Sequence, residues 1–594
     1  MDRFWNVNAL SVSLCIGGAL AQPAAVEAPA IDAGALQALS EAAAGFVEIG
    51  SAVGSELLVI QGGEVLLHEA YGLADRESKR PWDTQTISNI RSMTKPITGA
   101  ALQILIDRGK IALNDRVSEY LPGFDNDASR LITVRQVLTH RSGLPLTILE
   151  TSVDEYPDLQ TQANTAGEKG PEHEPDSKFW YSDIGTDVVG ALVEVVSGER
   201  LDEFVQRELL TPLGMNDSFY GVDADDERLL RVGSLYIGGA KSWTRFWSNE
   251  EDPFYPFPWG SQTIYSTPLD YAKFLQMFTD GGFAGETRIL SDAAIERILT
   301  PVSEMGMLGS DERFPTELTG LGSYYGQMMV LYCPDGEPEK GMRVFGHSGS
   351  DGTIAWAWPD RDLIIQYYTQ SRGGLSTLRL EADVNRLIIN PGETESEEIP
   401  ERYREFLGTY MANFAAFENE AFEVLVKNGK LHLDIPSQLV FELVDAGDDG
   451  LWAFKIAPEQ IQIEFERDES GTVVQFRLNQ GPASFVIPRK GTKLAEEQGR
   501  VIVVSPEEMA ALVGNYYDNE SDRVIEVFVG DDGVLNVRAE ANMVLQLRPT
   551  PERVLWQIRQ APGVQLSFQR DESGKVISMT RHVGEQTLVM ERQE

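Results

Sequence analysis

Cysteine is almost missing from this chain, with two residues in 594. Cys15 falls in a stretch that reads as a removable leader, so Cys333 would stand alone and no internal disulfide could form. Stability must then come from packed cores, and an apolar share of 42% is enough to build them. Histidine is also scarce. Its six residues are scattered without a His-x-His or His-Glu-x-x-His pattern, so no metal site is expected, and no cofactor is called for. Basic residues are outnumbered by acidic ones, 50 to 92, for a net charge of −42. Such a surface repels nucleic acid and anionic lipid, and neither is expected as a partner. Gly-x-Ser-x-Gly is lacking too: "GHSGS" fails because its fifth residue is Ser350, which argues against an α/β-hydrolase elbow. Past the first 20 residues no apolar run is long enough to span a bilayer.

What is present starts with a leader. Arg3, the apolar stretch "ALSVSLCIGGAL" and the A-x-A triplet Ala19-Leu20-Ala21 predict a signal peptide over 1–21. The expected location is periplasmic or secreted, with no stable membrane insertion after cleavage. Leu14 is too bulky to make Cys15 a lipoprotein cysteine. Beyond it, Gly62-Gly63 between two apolar runs signals a hairpin. Helices are predicted from about Ser92 to Arg108, with Ile97, Ala101, Ile104 and Leu105 on one face and Gly109 as the stop. Others are expected near 184–197, 201–210 and 268–279. "GTIAWAWPDRDLIIQYYTQ" reads as two strands around Pro359-Asp360. Strands at both ends with helices between them predict an α+β domain over 35–390.

An acidic, Pro-flanked linker is expected at 391–400. The sequence then repeats. "RDESG" occurs at 467–471 and 570–574, and Leu407-Gly408-Thr409-Tyr410 matches Val513-Gly514-Asn515-Tyr516. Gly429-Lys430-Leu431 matches Gly533-Val534-Leu535, and Trp452 matches Trp556. One near-constant offset across these landmarks predicts two copies of a small antiparallel barrel or sandwich, over 401–495 and 505–594. "RDESG" reads as a hairpin turn, and "DAGDDG" at 445–450 as a turn rather than a calcium loop.

The chemistry centres on "ISNIRSMTKPITGA", where Ser92 and Lys95 stand three residues apart. Ser-x-x-Lys alone arises by chance about once in a chain this long. At a helix start, however, i and i+3 share a face and the positive end of the dipole favours a developing anion on the serine. "FWYSDIG" adds Tyr181 and Asp183 before a helix, "VFGHSGSDGT" adds His347, Gly349 and Ser350 at a strand, and "ITVRQVLTHRSGL" surrounds His140. His140 on its own reads as structural, fixing the loop around Ser142-Gly143.

Taken together these segments resemble the serine β-lactamase and penicillin-binding-protein superfamily, in its class C-related branch. That branch carries Ser-x-x-Lys, Tyr-x-Asn, then Lys-Thr-Gly or His-x-Gly, in this order. "LTHRSGL", "PLGM" at 212–215 and "STPLDYAKFL" at 266–275 extend the likeness. It implies an antiparallel sheet flanked by helices, a helical subdomain, and acyl transfer through Ser92. Lys95 and Tyr181 would share the acid and base work. Both have free pKa values near 10, so a drop of about 3 units would be asked of their surroundings. The oxyanion hole would use the N–H groups of Ser92 and Ser350, with Asp183, His347 and Gly349 lining the substrate site. Asp183 stands where the family often has Asn, and would hold Lys95 charged. His347 stands where β-lactamases have lysine, as in related D-aminopeptidases, whose layout of two appended β-barrels is similar to this one.

The resemblance implies a peptidase or amidase acting on a small-molecule or peptide substrate. A carboxylesterase of the same family is the rival, which the Asp183 substitution favours. A non-catalytic, penicillin-binding-like sensor is a third reading. Specificity is expected from loops near 145–175 and 235–265.

Overall fold

The computed structural model describes residues 29–593, except 240–241, 308–312, 392–398, 416, 428, 437, 439, 448, 482, 501, 520–522, 531–532, 541–542, 551–554 and 585. The predicted leader at 1–21 and most of the predicted linker lie outside these described residues.

A long opening helix, α1 (Ala33–Glu48), is capped by the Asp32 carboxylate, which accepts from the Gly34 and Ala35 N–H groups. It lies against a nine-stranded antiparallel sheet. The strands are β1 (Gly54–Gln61), β2 (Glu64–Asp75), β3 (Arg80–Pro81), β4 (Ser303–Glu304), β5 (Leu321–Tyr325), β6 (Val330–Pro334), β7 (Val344–Gly349), β8 (Thr353–Trp358) and β9 (Leu363–Thr369). Their spatial order is β4-β5-β6-β7-β8-β9-β1-β2-β3, so the first and last parts of the domain meet where β1 pairs with β9. Gly62 and Gly63 both take positive φ, 60° and 75°, as a two-residue hairpin turn requires.

The sheet's other face carries the helical layer. Its centre is α2 (Thr94–Asp107), and Gly109 follows with φ 65°, the left-handed stop that glycine takes without strain. The sequence predicts one apolar face for this helix. In the structure every residue from Thr94 to Leu105 is buried, because α2 is enclosed on all sides. Ile97, Ala101 and Leu105 share a core with Leu58 of the sheet and with Val188 and Leu192 of α4 (Asp183–Ser197). The helix does not begin at Ser92. Residues Arg91–Met93 form a separate 3-10 turn, and the α-helix proper starts at Thr94. The loop expected near 145–175 contains a helix, α3 (Leu159–Lys169), and that near 235–265 contains a hairpin of Leu235–Gly239 and Ser242–Trp247.

The C-terminal part holds two all-antiparallel units. Eight strands between Gly408 and Pro488 form one sheet, whose first and last strands approach through a Tyr410–Arg489 bridge. Eight more, from Gly514 to Arg592, close into a barrel. The repeat extends to side-chain bonds. Tyr410 Oη donates to Phe406 O at 2.8 Å, and Tyr516 Oη to Leu512 O at 2.7 Å. Asp468 and Asp571 each fold a turn back on itself, accepting from the N–H groups of Ser470 and Ser573.

Candidate active site

Three elements meet at Ser92: the 3-10 turn that carries it, the start of α4, and the end of β7. Arg91 sets the turn in a left-handed conformation, φ 47°, a strained state for a non-glycine residue and a common mark of functional sites. It is held there from several sides. Its N–H donates to Asn89 Oδ1 at 2.9 Å, its Nε lies 2.5 Å from Asp351 Oδ2, and its Nη1 reaches the Tyr255 hydroxyl. Asp351 is fully buried and also accepts from Arg372 Nε at 2.6 Å, so two guanidiniums share one carboxylate.

The end of β7 reaches this turn because residue 349 is glycine. A Cβ there would lie 2.4 Å from the Ile90 carbonyl oxygen and 2.2 Å from Thr353 Oγ1. The close approach brings Ser350, which is exposed, beside the Ser92 turn. Ser350 Oγ accepts from Arg372 Nη2 at 3.4 Å.

Lys95 lies one helical step below Ser92 and is wholly buried. Its ammonium donates to Ser92 Oγ at 3.1 Å and to the Ser261 carbonyl at 3.2 Å, and lies 2.6 Å from Asp183 Oδ1. It sits 4.9 Å from the centre of the Tyr181 ring, whose hydroxyl is within hydrogen-bonding reach of both Ser92 and Lys95. The hydroxyl, amine and phenol therefore converge at one point. Asp183 heads α4, while Ser182 caps that helix by accepting from the Gly185 N–H at 2.8 Å.

The protonation chemistry departs from the sequence expectation. Burial by itself would push the Lys95 ammonium down, but Asp183 and Tyr181 together, by charge and hydrogen bonding, outweigh it and hold the amine well above its ordinary value. Burial pushes the Tyr181 phenol up, with Lys95 pulling it down and Asp183 adding to the rise. Neither group is lowered: burial is the main cause for Tyr181, and the Asp183 charge adds to the rise of both. A second buried acid, Asp187, lies one turn along α4. Its Oδ1 accepts from the Ser261 N–H at 3.0 Å and its Oδ2 from Gln162 Nε2 at 2.9 Å. Burial raises its carboxyl to about 7.

His347 lies behind the site wall, only 2% exposed, and cannot offer a cation to substrate. Its Nδ1 donates to the Ser348 carbonyl at 2.7 Å, so its Nε2 accepts, and Tyr325 Oη supplies that proton at 3.2 Å. Tyr325 in turn accepts from His140 Nε2 at 3.2 Å, because His140 Nδ1 is taken by the Ser182 N–H, also at 3.2 Å. The tautomers of both rings follow from this chain of bonds. Burial, with the nearby Lys95 charge, keeps both imidazoles neutral and takes His347 down to about 3. His140 is structural, yet its work differs from the expected one. It carries a positive φ of 53°, packs its ring 4.5 Å from that of Tyr181, and pins the Tyr181–Ser182 backbone. The sequence reading missed Asp187, Tyr325 and the Arg91–Asp351–Arg372 cluster. Among the described residues no cluster of metal-ligating side chains is found, and no helix is long and apolar enough to cross a membrane.

The Ser92 turn at the head of a buried helix, a tyrosine before a second helix and a glycine-ended sheet strand together form a candidate acyl-transfer site. The Beta-lactamase family description matches residues 39–389, more than half of the chain, and the protein belongs to that family. It is similar to penicillin-binding protein 4* of Bacillus subtilis (strain 168), 25% identical over 446 residues, covering 70% of this chain and 90% of that protein. It is also similar to esterase EstB of Burkholderia gladioli, 34% identical over 193 residues, 30% of this chain and 49% of that one. The octameric penicillin-binding-protein homologue of Pyrococcus abyssi shares the fold, with a TM-score of 0.52, 20% identity, 77% of this chain covered and 100% of that chain. The protein is a β-lactamase-family serine hydrolase.

Proposed function

We propose that this protein hydrolyses small carboxylic esters through a covalent acyl-enzyme on Ser92, after export to the periplasm or medium. The observation that carries the reading is the ion pair of Lys95 with Asp183. An ammonium held this firmly is a weak proton donor. An amine must be protonated as it leaves, whereas an alcohol leaving group needs less help. Asp183 accepts hydrogen bonds and has none to give to a substrate amide, and neutral His347 supplies no charge for a substrate carboxylate.

In this reading Tyr181, as phenolate beside the Lys95 cation, takes the Ser92 proton as Oγ attacks the carbonyl carbon. The Ser92 and Ser350 N–H groups receive the oxyanion, and Gly349 keeps them close. Tyr181 returns the proton to the leaving alcohol, and water then enters by the same path in reverse to free the acid. Peptide or amide hydrolysis, D-aminopeptidase-like, is the second reading. It is supported by the similarity to penicillin-binding protein 4* along 70% of this chain.

Intact-mass labelling with a fluorophosphonate, on wild type and Ser92→Ala, tests the acyl-enzyme. One adduct on wild type and none on the variant is expected, and labelling of the variant would overturn it. Rates on nitrophenyl esters against D- and L-aminoacyl anilides separate the two readings.

A further inference from the structure

A second candidate site lies far along the sequence from Ser92, in the junction between the two C-terminal β-units. A cavity of about 440 Å³ opens there, lined by residues of both units and by none of the catalytic domain. That volume falls in the range of small-molecule sites. Part of its wall is flat and apolar: Phe414 and Phe485 stack with ring centres 4.1 Å apart and planes 20° apart. The rest is cationic, because Arg500, Arg548 and Arg559 all line it. In a chain of net charge −42 such a concentration of arginine stands out.

The three differ in how they are held. Arg559 is committed to joining the two units, donating to the Ala415 and Phe417 carbonyls and to Glu418 Oε1 at 3.0 Å. Arg500 is exposed at the rim. Arg548 is the under-compensated group. Its Nη2 donates to the Gln498 carbonyl at 2.5 Å and to the Arg500 carbonyl at 3.3 Å, and among the described residues no carboxylate forms an ion pair with it. Desolvation, with the like charge of Arg559 next to it, pushes its pKa down, and the Glu418 charge only partly offsets them. The acid in the lining, Glu497, is paired with Lys493 at 3.3 Å. A half-buried cation without an ion-paired partner is an unfavourable arrangement that a bound anion would relieve.

We propose that this junction binds an organic anion: a carboxylate or sulfonate on a flat apolar body, the acidic head on Arg548 and the body against the Phe414–Phe485 pair. The site is separate from the acyl-transfer chemistry and does not rest on it.

Anilinonaphthalene sulfonate, titrated into the full chain by calorimetry and fluorescence, is the probe. Saturable one-to-one binding is expected, weakened about tenfold or more in Arg548→Glu, since a charge-assisted bond is worth roughly that much. The neutral analogue N-phenylnaphthylamine should compete poorly, and Ser92→Ala should bind the sulfonate like wild type. If Arg548→Glu does not fold, Arg548→Gln carries the same expectation with less disturbance of the junction. No binding, equal binding by the arginine variant, or equal affinity for the neutral analogue would each overturn the proposal.

Discussion

Lys95 Nζ lies 2.6 Å from Asp183 Oδ1, inside the cluster where it also donates to Ser92 Oγ and the Ser261 carbonyl. In the proposed mechanism the ammonium acts as a fixed positive charge, and the mobile proton belongs to Tyr181.

Removing that charge should stop turnover. Lys95→Ala is expected to lower kcat by about 10² to 10⁴, because without the cation the Tyr181 phenolate that takes the proton is no longer stabilised. Tyr181→Phe should lose as much. Far-UV circular dichroism should be unchanged in both.

The pH profile reports the same arrangement. Because burial raises Tyr181 above its ordinary value of 10.0, kcat/KM should keep climbing through pH 9 without a plateau. Asp183→Asn removes a negative charge that raises both Lys95 and Tyr181, so the rising limb should move to lower pH. A limb that stays put or moves up would remove Asp183 from this role.

Tyr325→Phe takes away the hydroxyl between two imidazoles. It leaves His140 Nε2–H without an acceptor and His347 Nε2 without a donor, a cost of about 1–3 kcal/mol. Denaturant unfolding should show that loss. Because His140 pins Tyr181, kcat should fall while KM changes little.

His347 makes the fold acid-sensitive. Its folded pKa, about 3, lies below the ordinary 6.5, so the unfolded chain takes up the proton first as pH falls. Stability should therefore decline from about pH 6.5 downward, by about 1.4 kcal/mol per pH unit from this group. His347→Gln should flatten that slope in melting experiments run from pH 7 to 4.

Much of this was legible in the residues themselves. Ser92 and Lys95 announce a shared helix face, Tyr181 a helix start, and Gly62-Gly63 a hairpin; the near-constant offset of about 104 gives the repeated β-units. Asp187 left a faint signal, an acid inside the apolar run "IGTDVVGALV". Ser261 left none, since it acts through its backbone. Tyr325 looks like any strand tyrosine, and only the fold sets it between His140 and His347, which are more than 200 positions apart in sequence. The ranking of substrates turned on one contact. Asp183 was visible as a substitution, but its 2.6 Å approach to Lys95 was not.

The closed eight-stranded barrel has a practical consequence. Its seam is the pairing of Gly514–Asp518 with Gln586–Arg592, where Tyr516 faces Arg592. A protein trimmed before residue 586 would leave two long unzipped borders, each a template for sticking to a neighbour. Such shortened forms should precipitate at concentrations where the full chain stays dispersed.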